Sequence, residues 1–344
     1  MINEFMKILV TGGLGFIGSN FIRYYLQSDK NAQIINLDLK TYAGNPRNLA
    51  DLSGNSRYRW ICGDIAEPQT VRRAIKGCQS VVHFAAESHV DRSIMDSGPF
   101  LRTNVIGMQV LLDAARAEKV KRFIHVSTDE VYGSIPGKRL STEKDALFPN
   151  SPYAASKAAS DHLARAAWVT HGLPVIITRA SNNFGPYQYP EKALPLMITN
   201  FLEGRPYPLY GDGLNVRDWL YVQDHVAAIA YLLRHGVLGE IYNIGGGCSL
   251  KNKELVLRVR TLMGIGADLV QSVEDRPGHD RRYALDDSKL RRLGFKFQYP
   301  FDQALEETIT WYQNNQSWWQ PLKKSKNYDS YFQKQYRQNQ EALV

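Results

Sequence analysis

The chain has 344 residues, 44% hydrophobic and 22% charged, with a formal net charge of +8 and a sequence pI of about 9.2. That length holds one large α/β domain with a smaller appended part, or two domains, and no apolar run approaches the roughly 18–20 residues a membrane helix needs. Cys62, Cys78 and Cys248 show no Cys-x-x-Cys spacing, which argues against a disulfide framework or a metal site. Basic residues occur as scattered pairs (Arg72-Arg73, Arg281-Arg282, Arg291-Arg292, Lys323-Lys324) rather than one stripe. This speaks against nucleic acid and suits a solvated surface or an anionic small substrate. No signal peptide precedes Ile8 to Thr11, so the expected location is cytoplasmic.

After a short polar leader, Met1 to Phe5, the stretch Lys7 to Thr11 reads as a first strand. It runs into Gly12, Gly15 and Gly18 and an apolar-periodic helix to about Leu26. Glycines at this spacing give a tight turn, close backbone approach to a pyrophosphate and a helix N-terminus aimed at the anion. Gln33 to Leu37 is a second strand ending at Asp38, whose carboxylate can accept ribose hydroxyls and so favours NAD over NADP. Tyr58 to Ile61 reads as a third strand, with Asp64 and Ile65 near its end. Ser80 to Phe84 is a fourth, leading into the small residues Ala85 and Ala86. A long helix over Pro99–Ala117 carries Thr103 and Asn104 near its start.

A buried strand over Phe123–Val126 then opens onto Ser127-Thr128-Asp129-Glu130, at the strand end where open α/β sheets place ligands. Such a run also serves turns and helix caps. A helix from Tyr153 to about Val169 puts Tyr153 and Lys157 on one face, where an ammonium favours a phenolate and draws the tyrosine pKa down. Pro174 to Thr178 is a sixth strand. From Ser181 prolines and glycines thicken, which predicts a loop-rich region. Tyr221–His235 is then a helix, Ile241–Ile244 a strand, Leu255–Met263 a helix, Asp275 to Asp280 a polar loop and Phe301–Asn314 a last helix. The polar tail from about Ser325 reads as extended. His83 and His125, inside strands, read as packed core residues. The predicted architecture is α/β: a doubly wound Rossmann-type parallel sheet over residues 1–180, a smaller α/β part over 181–324 with some segments free to return to the sheet, and a tail over 325–344.

These stretches resemble the extended short-chain dehydrogenase/reductase superfamily, and within it the dTDP-glucose 4,6-dehydratase family. The resemblance rests on Thr11 to Ser19, Thr41 to Asn45, Ala85 to Asp91, Ser127 to Gly133, Tyr153 to Lys157, Asn182 to Pro186, Arg217 to Trp219 and Asp275 to His279. Leu14, Phe184 and Ala193 depart from the family's usual residues. The resemblance implies an NAD-dependent hydro-lyase acting on a nucleotide sugar in deoxysugar biosynthesis, such as that of rhamnose, and a homodimer pairing the helices at Pro99–Ala117 and Tyr153–Val169. Cofactor contacts would be Gly12, Gly15, Phe16, Ile17, Gly18, Asp38, Leu39, Lys40, Thr41, Asp64 and Ile65. Ala85, Ala86, Ser88, Thr103, Tyr153, Lys157 and Asn183 would complete them. Tyr153, Lys157 and Thr128 would serve oxidation at carbon 4, Glu130 would take the carbon-5 proton, and Asp129 would protonate the departing carbon-6 hydroxyl. Substrate contacts would be His89, Thr128, Asn182, Lys192, Ala193, Pro208, Leu209, Tyr210, Arg217 and Asn252, with Asp275, Arg276, Pro277, Gly278 and His279. A UDP-glucose dehydratase, a 4-epimerase without a task for Asp129 and Glu130, and a non-catalytic NAD-binding regulator stand as alternatives.

Overall fold

The computed structural model describes residues 6–337. The leader Met1 to Phe5 and residues 338–344 of the tail lie outside the described residues. The first half alternates strands and helices: β1 (Lys7–Thr11), α1 (Phe16–Ser28), β2 (Gln33–Asp38), β3 (Tyr58–Cys62), α2 (Pro68–Ile75), β4 (Ser80–His83) and α3 (Val90–Met95). It continues with α4 (Gly98–Phe100), a π-helical stretch (Leu101–Gly107), α5 (Met108–Ala117), β5 (Arg122–Thr128), α6 (Pro152–His171) and β6 (Val175–Ala180). The expected long helix is therefore present, but a π-helical stretch carries Thr103 and Asn104. Asn104 bonds Glu87 through its backbone carbonyl and amide, each at 3.0 Å, and Ser156 Oγ at 2.9 Å.

The second half holds more regular structure than its prolines and glycines suggest. It comprises β7 (Asn182–Phe184), α7 (Ala193–Leu202), β8 (Tyr207–Tyr210), β9 (Val216–Tyr221), α8 (Val222–His235), β10 (Ile241–Ile244), β11 (Ser249–Lys251) and α9 (Asn252–Met263). Beyond come β12 (Val270–Val273), α10 (Ser288–Arg292), α11 (Phe301–Asn314), α12 (Gln316–Lys323) and α13 (Lys326–Phe332). The region after Ser181 is thus not mainly loop: short strands pair across the prolines. The tail is helical over Lys326–Phe332 rather than extended, anchored by Tyr328 and Tyr331, each 4% exposed.

Seven parallel strands form the main sheet in the order β3-β2-β1-β4-β5-β6-β10. Strand order reverses between β1 and β4, and ligands sit outside the carboxyl ends at such a point. Ile8, Leu9, Val10, Val81 and Val82 are fully buried because helices cover both faces. Burial of each such side chain contributes about 1.5–3 kcal/mol. Two small sheets, β11-β9-β7 and β12-β8, stand beyond the strand ends. Helix α12 ties this part to the first half, Trp318 Nε1 donating to Asn48 Oδ1 at 2.9 Å, while the buried Tyr312 hydroxyl of α11 donates to the Gln188 carbonyl at 2.5 Å within the second half.

Candidate active site

Gly12 has a φ of +73°, and a Cβ there would stand 2.6 Å from the Ala85 amide nitrogen. At Gly18 a Cβ would lie 2.3 Å from the Gly12 carbonyl oxygen, so only glycine lets α1 start this close to β1. No side chain caps α1 at Gly15, which leaves its first amides for an anion. Asp38 closes β2 with Oδ2 accepting from Leu14 N at 2.9 Å and Oδ1 from Lys40 N at 2.7 Å. Burial raises its pKa, and these two amides oppose the rise.

The cleft above is lined by every expected cofactor contact except Lys40 and Asn183. Lys40 adopts a left-handed φ of 58° and presents its amide to Asp38. Asn183 is turned to His225 Nδ1 at 2.8 Å and the Ser181 carbonyl at 2.9 Å. A glycine cradle, an uncapped helix start and a carboxylate at the second strand end fit a dinucleotide.

At the end of β5, Thr128 caps a short helical turn through Asp129–Tyr132, its Oγ1 accepting from Glu130 N at 3.3 Å and donating to Asp129 Oδ1 at 3.2 Å. Thr128, Asp129, Tyr153 and Lys157 are all less than 10% exposed. Asp129 is pushed well up by burial and then by Glu130 and Asp218. Burial also raises Glu130, but Arg276, Arg217 and Lys192 pull it back. The two carboxyls are thereby driven apart, the requirement for one acid and one base.

The tyrosine differs from its sequence-based expectation. Burial and then Glu130 raise the Tyr153 pKa, with a hydrogen bond from Thr128 opposing. Lys157 gives its Nζ to the Val126 carbonyl at 2.8 Å instead of to the phenol. Burial of the phenol, with Glu130 and then Asp129 beside it, sets the direction of the shift.

The expected substrate contacts face this end of the sheet from several elements. His89 immediately precedes α3, and Lys192 immediately precedes α7 at Ala193 while its Nζ donates to the Ser88 carbonyl at 2.8 Å. Asn182 opens β7, Pro208, Leu209 and Tyr210 lie on β8, Arg217 on β9 and Asn252 opens α9. Arg217 is buried, donates to the Asp280 carbonyl at 2.9 Å and stacks 4.5 Å from the Tyr283 ring centre. The loop Asp275, Arg276, Pro277, Gly278, His279 folds against Tyr210, whose ring centre is 6.0 Å from that of His279. Arg276 pairs with Asp91 at 2.6 Å, and His279 Nδ1 with Asp275 Oδ1 at 2.5 Å.

Three residues escaped the reading of the sequence. Glu191 is 4% exposed and lines the cleft, with Oε2 held by Arg92 at 2.8 Å and 3.1 Å while Oε1 has no hydrogen-bond partner. Arg92 lies 4.1 Å over the Tyr42 ring. Asp91 binds Arg276 and accepts from the Tyr331 hydroxyl at 2.9 Å. Glu191 precedes Lys192 in a Pro-Glu-Lys run, the one local signal that could have marked it. Asp129 Oδ2, Asn182 Oδ1, His89 Nδ1 and Arg276 Nε are likewise buried without partners. Orphaned buried polar atoms of this kind, Glu191 Oε1 among them in the wall of the cleft, mark a place for a polar ligand.

The sequence matches the family described as GDP-mannose 4,6 dehydratase over residues 9–308. A dTDP-glucose 4,6-dehydratase of Streptomyces niveus is 50% identical over 323 residues, 92% of this chain and 96% of that one. One from Neisseria meningitidis is 46% identical over 338 residues, 91% of this chain and 95% of that one. Among solved structures, the DesIV dTDP-glucose 4,6-dehydratase of Streptomyces venezuelae, with NAD bound, matches with a TM-score of 0.90 at 50% identity, over 92% of this chain and 100% of that one. The UDP-glucose 4-epimerase of Thermus thermophilus, also with NAD, has a TM-score of 0.84 at 30% identity, over 90% and 100%. The chain belongs to the nucleotide-sugar 4,6-dehydratase family, alongside the dTDP-glucose 4,6-dehydratases.

Proposed function

We propose that the protein converts dTDP-glucose to dTDP-4-keto-6-deoxyglucose, with NAD held over Gly12–Gly18, Asp38 and Ala85–Ala86. The cofactor supplies the acceptor for the carbon-4 hydride and its later return. Tyr153 takes the carbon-4 hydroxyl proton, aided by Thr128, and Lys157 provides the positive charge beside it. The resulting ketone makes the carbon-5 proton acidic. Glu130, the carboxyl kept lower by three cations, removes that proton. Asp129, the carboxyl pushed further up, serves as the acid that donates to the carbon-6 hydroxyl as it leaves. Arg217 and Arg276 suit the diphosphate, since a guanidinium fork matches phosphate oxygens.

One observation carries this reading over a 4-epimerase on the same fold: the adjacent Asp129, buried, and Glu130, half-buried, with unequal proton affinities, for which an epimerase has no task. Relatives at half identity act, by name, on dTDP-glucose, which favours thymine over uracil. The test is incubation with dTDP-glucose and separately UDP-glucose. A 4-keto product from the first at a clearly higher kcat/KM is expected; product from neither, or a carbon-4 epimer, contradicts the reading.

The same reading assigns the cofactor to residues 1–180 and the sugar nucleotide mainly to 181–324, with β10 back in the cofactor sheet. A homodimer is part of it, supported by exposed Leu101 and Ile106 around the π-helical stretch and Val169 at the end of α6. Cytoplasmic residence rests on three unpaired cysteines, and among the described residues no helix is long and apolar enough to cross a membrane.

A further inference from the structure

One turn beyond Lys157 on α6 lies a buried charge to which the proposed chemistry gives no task. Asp161 follows Lys157 by four residues, on the same helix face, and is 2% exposed. Its Oδ2 accepts from Arg179 Nε of β6 at 2.8 Å. Its Oδ1 has no hydrogen-bond partner and faces His125 Nε2 of β5 at 3.2 Å, an ion-pair distance without hydrogen-bond alignment. Lys157 reaches β5 one residue further on, at the Val126 carbonyl. Ammonium and carboxylate therefore converge on adjacent residues of the strand that ends in Thr128-Asp129-Glu130.

The other groups packed around this point do not neutralise the lysine. Arg179 is itself a cation, shared between Asp161 and the Tyr132 hydroxyl at 2.9 Å, which in turn donates to Asn243 Oδ1 of β10 at 2.8 Å. His125 stacks on His83 of β4 with ring centres 5.5 Å apart, and His83 Nδ1 meets Thr11 Oγ1 of β1 at 2.7 Å. Burial keeps both imidazoles neutral. Ser127 carries no charge. Asp129 and Glu130 lie toward the reacting end and act on Tyr153. A buried ammonium bonded to a neutral carbonyl needs an anion.

We infer that Asp161 is a positioning residue for the reaction: it is the counter-charge that keeps Lys157 protonated and seated, with Arg179 and His125 fixing its carboxylate. Burial draws Lys157 down to about 8, and Asp161 opposes that fall. Burial pushes Asp161 up, but His125 and Arg179 override it and leave the group near 2, so it stays charged throughout the working range. This inference rests on the role proposed above for Lys157.

The test is the pH dependence of kcat. In Asp161→Asn the alkaline limb moves toward neutrality by about one pH unit or more, so that kcat at pH 8 falls about tenfold, while KM changes less than about threefold. Asp161→Glu keeps the charge and restores the wild-type limb. Because Asp161→Asn strands Arg179, the pair Asp161→Asn/Arg179→Met removes both charges and guards against misfolding; it shows the same acidward limb. Arg179→Met alone leaves the carboxylate to Lys157 and moves the limb the other way. An unmoved limb in Asp161→Asn, in the double variant or in Arg179→Met, in a protein that melts like the wild type, overturns the inference. Lys157→Met separates the two levels: turnover retained there sinks the role of the lysine itself. A dead Lys157→Met with unmoved limbs in Asp161→Asn and the double variant sinks only the counter-charge.

Discussion

Tyr153 on α6 and the Asp129–Glu130 pair after β5 meet although 23 positions separate Glu130 from Tyr153 in the chain. Their juxtaposition follows from β5 and α6 being consecutive elements that pack together, so each motif was legible as a strand end and a helix face. Tyr153→Phe removes the positioned base and is expected to lower kcat on the order of 100- to 10,000-fold with little change in substrate binding. Steady-state kinetics beside a substrate titration check this, and near-normal turnover would remove the phenolate from the mechanism. What the sequence hid at this scale is long-range pairing. Glu191 meets Arg92 across 99 positions, and Asp91 meets Arg276 across 185. No local spacing reports either pair. The direction of the Tyr153 shift was hidden for a related reason: it depends on how deeply the phenol is buried and on Glu130 and Asp129 standing beside it, both of which the tertiary fold sets.

At the scale of elements, long periodic segments declared themselves. The strand Ile241–Ile244 and the helix Phe301–Asn314 have the bounds expected from the sequence, because an apolar run or a 3.6-residue stripe is written locally. Strands β7, β8 and β9 run only three to six residues between prolines and glycines. Their pairing is tertiary, so composition alone suggested loop. The tail misled for the opposite reason: Tyr328 and Tyr331 were diluted by polar neighbours that face solvent. Helices α11 and α12 are predicted to carry much of the closure between the two halves. Trp319, 1% exposed with Nε1 donating to the Tyr312 carbonyl at 2.9 Å, is its anchor. Trp319→Ala should cost about 3–5 kcal/mol through lost burial and the cavity left behind. Denaturant unfolding measures this, and a loss below about 1 kcal/mol would show that the anchor lies elsewhere.

For the whole molecule, buried histidines set the acid limit. Burial lowers His89 and His125 to about 4 and His225 to about 3. Between the unfolded value near 6.5 and these folded values, the unfolded chain binds protons that the folded chain refuses, so stability falls as pH falls. Asp91, pushed up by burial but held to about 2 by Arg276, adds a second loss below about pH 4. The melting temperature is therefore expected to drop steadily from about pH 6.5 to 4, before most carboxylates titrate; a flat profile down to pH 4.5 would contradict the burial of these imidazoles. The functional account of the molecule stands or falls on the carboxylate pair. Its most direct test is conversion of dTDP-glucose in deuterated water, with product analysed by NMR for deuterium at carbon 5. The wild-type product is predicted to carry that label, and Glu130→Gln to lose dehydration by at least about 100-fold. Product without carbon-5 label, or full dehydration by Glu130→Gln, would contradict the account.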